Sequence, residues 1–212
     1  MQENRQGVDW QYSIESCPGE AWDVAIIGAG PAGSIAAKYL ASRGHRVILI
    51  DKARFPREKI CGDGLIAESL QCLRRAGVYE AVKAQGYQVQ KWHTFSSSGV
   101  KFELNLECIT LKRIQLDTLL AQKAVEAGAC FFHGTVDHVR ALPDGCIQFT
   151  MHAQQRRIQT KVGVIATGAS IDLIPRTPTC TNRRPLSVLL SNPEACNDDS
   201  RLVGIQNNKH RR

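Results

Sequence analysis

The chain is 212 residues long, 43% hydrophobic and 22% charged, with a formal charge of +7. That length allows one good hydrophobic core with a small appendage, and the longest weakly polar run, "VAIIGAGPAGSIAA", is broken by three glycines and a proline, short of the roughly 20 apolar residues that span a bilayer. The charge does not point to nucleic acid: after residue 170 seven Arg/Lys face four Asp/Glu, a net +3 that leaves +4 elsewhere, and no basic stripe is interleaved with aromatics.

Residues 1–21 read as an N-terminal extension, since "MQENRQGVDW" has no apolar stretch of the kind a secretory leader needs. The eight cysteines are scattered without C-x-x-C or metal-ligand spacing, so they are expected to be reduced thiols in a cytoplasmic protein.

The first strong signal is "WDVAIIGAGPAGSIAAKYLASRGHRVILID", Trp22 to Asp51. "DVAIIG" is a short β-branched run ended by glycine, as in a buried parallel strand. Ala32, Ile35, Ala36, Tyr39 and Leu40 then recur at helical spacing and predict the apolar face of a helix, with Pro31 in its first turn and Gly44 just past its end. "HRVILID" is the second strand. Gly28, Gly30 and Gly33 have the G-x-G-x-x-G spacing. In such a unit Gly28 permits the tight turn, Gly30 lets backbone approach a pyrophosphate, and Gly33 lets the helix pack on the strand. Asp51 stands where a carboxylate accepts from ribose hydroxyls, and its charge disfavours a 2′-phosphate. These residues predict dinucleotide binding without separating FAD from NAD.

Farther along, Leu65 to Ala76 reads as a helix closed by Gly77, and "YEAVKAQ" as a second short one. "QKWHTFSSSGVKFEL" predicts a hairpin turning through "SSSG". Trp92 and Phe95 are expected to pack a strand rather than to stack on a ligand. Between Ile114 and Ala127, Leu116, Leu119, Leu120, Ala124 and Ala127 line one helix face, stopped by Gly128. "VDHVRAL", "CIQFTMH" and "RIQTKVGVI" then predict an antiparallel meander, with Ile147, Phe149 and Met151 on one face. His133 and His138 lack the cysteines or acids of a metal site, and Ser96, Ser97 and Ser98 lack a nucleophile elbow.

Four segments in order carry a resemblance: "GAGPAGS", "DKARFPREKICGDGL", "LKRIQLDTLLAQKAVEAGACFFHGTVDHV" and "VGVIATGAS". Over about residues 22–170 the chain resembles the geranylgeranyl reductase family, within the p-hydroxybenzoate hydroxylase-like flavoproteins. The C-G-D-G-L step points to the reductases. The resemblance implies an α/β fold: a Rossmann-like FAD/NAD(P)-binding domain with a parallel sheet and an antiparallel β-meander crossover. It implies that Gly28, Gly30, Ala32, Gly33 and Ser34 face the FAD pyrophosphate, and Asp51 with Lys52 the adenosine ribose. Arg57 and Arg113 correspond to arginines near the phosphates and ribityl chain, where a guanidinium fork suits phosphate oxygens. Cys61, Gly62, Asp63 and Gly64 would form a loop over the isoalloxazine, and Ala166, Thr167 and Gly168 the segment returning to the flavin domain. An idle surface loop is the competing reading of residues 55–65, because Cys61 has no neighbouring histidine in sequence.

The family implies reduction of prenyl-chain carbon–carbon double bonds by hydride transfer from reduced FAD, with NAD(P)H or ferredoxin as electron donor. Family members are about twice this length and carry a later G-D segment and a substrate sheet that are not recognisable after Ser170. Residues 171–212, with four prolines and polar clusters, read as an irregular or disordered tail. The expectation is therefore a truncated chain lacking the C-terminal substrate domain. An FAD monooxygenase or halogenase, and a non-catalytic nucleotide-binding fragment, remain alternatives. No transmembrane segment is expected, though the basic tail leaves peripheral membrane contact open.

Overall fold

A computed structural model describes residues 8–19, 22–61, 63–168, 173, 188–190 and 203–204. Its strands are β1 (Gln11–Ser13), β2 (Trp22–Ile27), β3 (Val47–Asp51), β4 (Gly64–Leu65), β5 (Tyr87–Val89), β6 (Trp92–Phe95), β7 (Lys101–Leu104), β8 (Cys108–Thr110), β9 (Cys130–His133), β10 (His138–Ala141), β11 (Ile147–Met151), β12 (Arg156–Ile165), β13 (Val188–Leu190) and β14 (Val203–Gly204). The helices are α1 (Pro31–Ala41), α2 (Ala67–Arg75), α3 (Tyr79–Gln85) and α4 (Arg113–Glu126). The chain divides into one unit of residues 1–55 and 121–212 and a second of residues 56–120. Gly62 and most of residues 171–212 lie outside the described residues.

The first unit is built on a sheet ordered β1-β9-β3-β2-β12-β11-β10, with β13 on β12 and β14 on β13. β1, β9, β3, β2 and β12 run parallel. β10, β11 and β12 form the predicted antiparallel meander. β12 belongs to both arrangements: Arg156–Thr160 pair with β11, and Val162–Ile165 with β2.

Because strand side chains alternate, β2 and β3 supply two cores at once. Ala25, Ile27, Ile48 and Ile50 pack with Ile147, Phe149, Met151 and Ile158 of the meander. Val24, Ile26, Val47 and Leu49 pack with Ala37 and Ala41 of α1 and with Ala121 and Ala124 of α4. Burial of each large aliphatic side chain contributes about 1.5–3 kcal/mol. Gly163 is a fitted position, since a Cβ there would lie 2.7 Å from the Phe149 ring.

α1 buries its small residues most fully, while Ala36 and Leu40 of the face that hydrophobicity selects pack against the same core in part. Gly33, Ser34, Ala37 and Ala41 are buried, whereas Ala32 is exposed and Ile35, Ala36, Tyr39 and Leu40 are only partly covered. The helix lies so close to the glycine turn at Gly33 that only small residues are fully buried there. The N-terminal extension likewise contributes more than expected: β1 is an edge strand on β9, and Ile14 just after it is fully buried.

Charge also ties β2 to its neighbours. Lys161 Nζ donates to Asp23 Oδ1 at 2.9 Å, and Arg46 N donates to Oδ2 at 2.9 Å. These bonds, Lys161 first, hold the Asp23 carboxyl down from 3.8 to about 2. The associated stability is fully present above the ordinary carboxylate value and is lost as pH falls through the folded value. Asp23→Asn is accordingly expected to flatten the acid-unfolding profile between about pH 4 and pH 2. An acid limb superimposable on that of the parent chain would remove Asp23 from the account.

The second unit holds α2, α3, the sheet β4-β8-β5 and the hairpin β6–β7. α3 and the hairpin fall where the sequence places them, while α2 begins at Ala67 because Leu65 is taken into β4. Leu70, Leu73, Val82, Ile109 and Leu116 are buried. The packing expected of Trp92 and Phe95 is not seen: they are 38% and 64% exposed, and Phe102 opposite Thr94 is 52% exposed. A two-stranded hairpin has two faces and no third strand to cover either.

Candidate functional site

The glycine turn joins β2 to α1, and its backbone explains two of its three glycines. Gly28 has φ +102°, where side chains are rarely tolerated, and a Cβ there would stand 2.5 Å from Ala166 O. A Cβ on Gly33 would fall well inside contact distance of Gly28 O. Gly30 differs. Its φ of −72° and ψ of −176° are open to any residue, so backbone conformation does not by itself call for glycine there. Pro31 opens α1 just after it, and the first-turn N–H groups of such a helix have no carbonyl partner within the helix.

Asp51 ends β3 nearly buried, at 7% exposure. Its Oδ2 accepts from Ala29 N at 2.8 Å and its Oδ1 from Ala53 N at 2.9 Å. The carboxylate therefore braces the glycine turn from the neighbouring strand. Ser34, which the resemblance sets against the pyrophosphate, is fully buried, with its hydroxyl donating to Ala29 O at 3.1 Å and its N–H to Gly30 O at 2.9 Å inside the turn. Ala32 and Lys52 are exposed. Ala166 N donates to Ile27 O at 2.7 Å, which brings the Ala166–Gly168 segment against Gly28, with Gly168 at φ +67°. The structure thus gathers the sequence-predicted residues 28–34, 51 and 166–168 around one turn.

The second unit holds a separate constellation. Asp117 on α4 is fully buried and receives Arg113 through two bonds, Nε to Oδ1 and Nη2 to Oδ2, both 2.8 Å. Arg57 Nη2 reaches the same Oδ2 at 3.1 Å. One carboxylate thus orients both of the arginines singled out in the sequence. Hydrogen bonding to Asp117, with a smaller contribution from Cys61, raises the Arg113 guanidinium above its ordinary pKa. Sequence reasoning assigned Asp117 no role, although the Arg–Asp pair at i, i+4 was a readable signal.

Asp63 has a left-handed backbone, φ 55°. Its Oδ1 accepts from Arg113 N at 3.1 Å and its carbonyl from Leu111 N at 3.0 Å. The C-G-D-G loop is therefore fastened to the start of α4 by its aspartate, as an N-terminal cap. Cys61 and Gly64 are exposed. His133 and His138 do not come together with further ligands: among the described residues no three His, Cys, Asp or Glu side chains are placed to hold a metal. No helix among the described residues is long and apolar enough to cross a membrane.

The sequence matches the FAD binding domain family over residues 21–161. It is 50% identical over 56 residues to a menaquinone reductase of Mycolicibacterium smegmatis, covering 26% of this chain and 14% of that one. It is 35% identical over 109 residues to digeranylgeranylglycerophospholipid reductase 1 of Methanopyrus kandleri, covering 51% of this chain and 28% of the relative. The fold is similar to that of the flavin-dependent brominase Bmp2, with TM-score 0.61 and 28% identity over 70% of this chain and 38% of the brominase. The chain thus spans well under half the length of these relatives.

Proposed function

This chain belongs to the FAD-binding domain family, and from that premise we propose that it is the cofactor-holding part of an oxidoreductase that reduces carbon–carbon double bonds of prenyl chains. The observation that carries FAD binding is the glycine turn itself, with Gly28 tight against Ala166, α1 opening directly after Gly30, and Asp51 bracing Ala29 N. Gly28, Gly30, Ala32 and Gly33 would hold the pyrophosphate, with Asp51 and Lys52 at the adenosine ribose and Ser34 and Ala166–Gly168 supporting the turn. The family resemblance, rather than geometry, extends the cofactor set to Arg57, Cys61, Gly62 and Arg113. When bound, the flavin supplies hydride chemistry. Asp117 orients the arginines, and Asp63 fixes the loop that carries Cys61 and Gly64.

Similarity to a menaquinone reductase and to a digeranylgeranylglycerophospholipid reductase supports the prenyl reading, as does the C-G-D-G-L loop. NAD(P)H or ferredoxin would be the electron donor, a prenyl-type molecule the substrate, and the cytoplasm the location. Similarity to the brominase favours a second reading, flavin-dependent halogenation.

The test starts from the purified chain and its visible spectrum before and after excess FAD. Gly30→Val is expected to keep the fold, since the backbone there is open to any residue, and to lose FAD by blocking the approach of a pyrophosphate to the helix N-terminus. An unchanged thermal midpoint with at least a hundredfold weaker FAD binding, about 2.7 kcal/mol, is the expected result. Undiminished FAD binding in that variant would show that the turn is not the site. With the flavin bound and reduced by dithionite, loss of a double bond from a menaquinone without oxygen, against bromide incorporation into an aromatic acceptor once dioxygen is admitted, decides between the two chemistries.

A further inference from the structure

The residues matched to the family begin at 21, yet a hydrogen-bonded chain reaches the glycine turn from β1, upstream of that point. Gln11 is 8% exposed. Its Nε2 donates to Ala53 O at 2.9 Å, and its Oε1 accepts from Phe55 N at 2.8 Å. Ala53 N in turn donates to Asp51 Oδ1, and Asp51 Oδ2 accepts from Ala29 N inside the turn. Four hydrogen bonds of 2.8–2.9 Å thus connect an edge strand to the backbone expected to meet the pyrophosphate.

We propose that Gln11 is a positioning residue for the cofactor site, setting the Asp51 carboxylate and, through it, the Ala29 amide. A primary amide suits this position because one side chain must donate to a carbonyl and accept from an N–H two residues farther on. β1 is held independently of that amide. It pairs with β9 in register from Gln11–Phe131 to Ser13–His133, Trp10 lies 6.0 Å from the Phe131 ring, and Ile14 is fully buried. The amide can therefore be altered while the strand retains its ladder and its apolar contacts. The consequence is that FAD affinity in this protein depends on residues outside the FAD-binding family's own boundaries.

This proposal rests on FAD binding at the glycine turn, and its test separates the two. FAD and ADP affinities are measured by fluorescence titration on the full chain, on Gln11→Met, and on Met151→Ala, a buried change in the meander that lowers the thermal midpoint without touching the chain of bonds. Gln11→Met is expected to weaken FAD and ADP alike by about tenfold, the scale of one or two lost hydrogen bonds, while Met151→Ala stays within about twofold. Equal affinities for Gln11→Met and the parent chain would overturn the positioning role, as would an equal loss in Met151→Ala. Should Gln11→Met fail to fold, Gln11→Glu keeps the acceptor for Phe55 N and loses the donor to Ala53 O. Its FAD affinity is expected to recover as acid protonates the introduced carboxyl and restores that donor, and a flat pH profile would overturn the proposal. A parent chain that binds neither FAD nor ADP would instead overturn the cofactor reading itself.

Discussion

Gly33→Ala is expected to destabilise the protein by roughly 3 kcal/mol, the upper range for forcing a methyl into a packed site, and to abolish FAD retention with it. The added Cβ would collide with Gly28 O, and it would also lie 3.1 Å from Gly28 C and 3.3 Å from the Ala166 Cβ. The first two are backbone atoms of the turn, which cannot rotate aside as the end of a long side chain can. α1 would have to move off β2, pulling its first-turn N–H groups away from Gly30 and breaking the contact of Ala37 and Ala41 with the sheet core. Urea unfolding of the parent and variant, each with and without FAD, gives both quantities. A variant within about 1 kcal/mol of the parent that still retains flavin would mean that the turn has slack the structure does not display.

Asp117→Ala is expected to have a comparable effect by a different route. Removing one member of a buried ionic cluster costs about 3–5 kcal/mol, because the surviving charges stay desolvated. Here two guanidiniums, 15% and 16% exposed, share one carboxylate of zero exposure. Without it Arg57 and Arg113 repel one another, and Arg113 loses the fork that fixes its direction. Asp117→Asn should fall between, since the amide keeps one acceptor but brings N–H donors toward guanidinium donors. Chemical unfolding measures the loss directly, and FAD titration of the folded fraction reports whether the arginines matter to the cofactor. A loss below about 1 kcal/mol for Asp117→Ala would place the cluster among exposed ion pairs of small worth.

Much of the fold is legible in the sequence because it is written in local pattern. Near-continuous apolar runs give β2 and β3, the glycine spacing gives the turn between β2 and α1, and alternation gives the meander with Ile147, Phe149 and Met151 inward. The match to the FAD-binding family over residues 21–161 follows the same segments. What the pattern misses lies where contact distance, and not hydrophobicity, selects residues. Counting apolar side chains puts Ile35 and Leu40 at the core of α1, while the buried residues are Gly33, Ala37 and Ala41, with Leu40 packed against them only in part. Trp92 and Phe95 look like core by type and are exposed, because the hairpin that holds them has no covering layer among the described residues.

The sequence by itself determined a strand, a glycine turn and a helix fit for a dinucleotide, followed by an aspartate, while the two arginines and the glycine-rich loop gained their meaning from the family resemblance. Tertiary structure alone decided how these residues hold one another. Asp51 meets Ala29 across 22 residues, Gln11 meets Phe55 across 44, and Asp63 meets Arg113 across 50. Local periodicity reports which face of an element avoids water. It carries no information about which donor meets which acceptor once distant segments fold together, because those pairings are set by strand order and register.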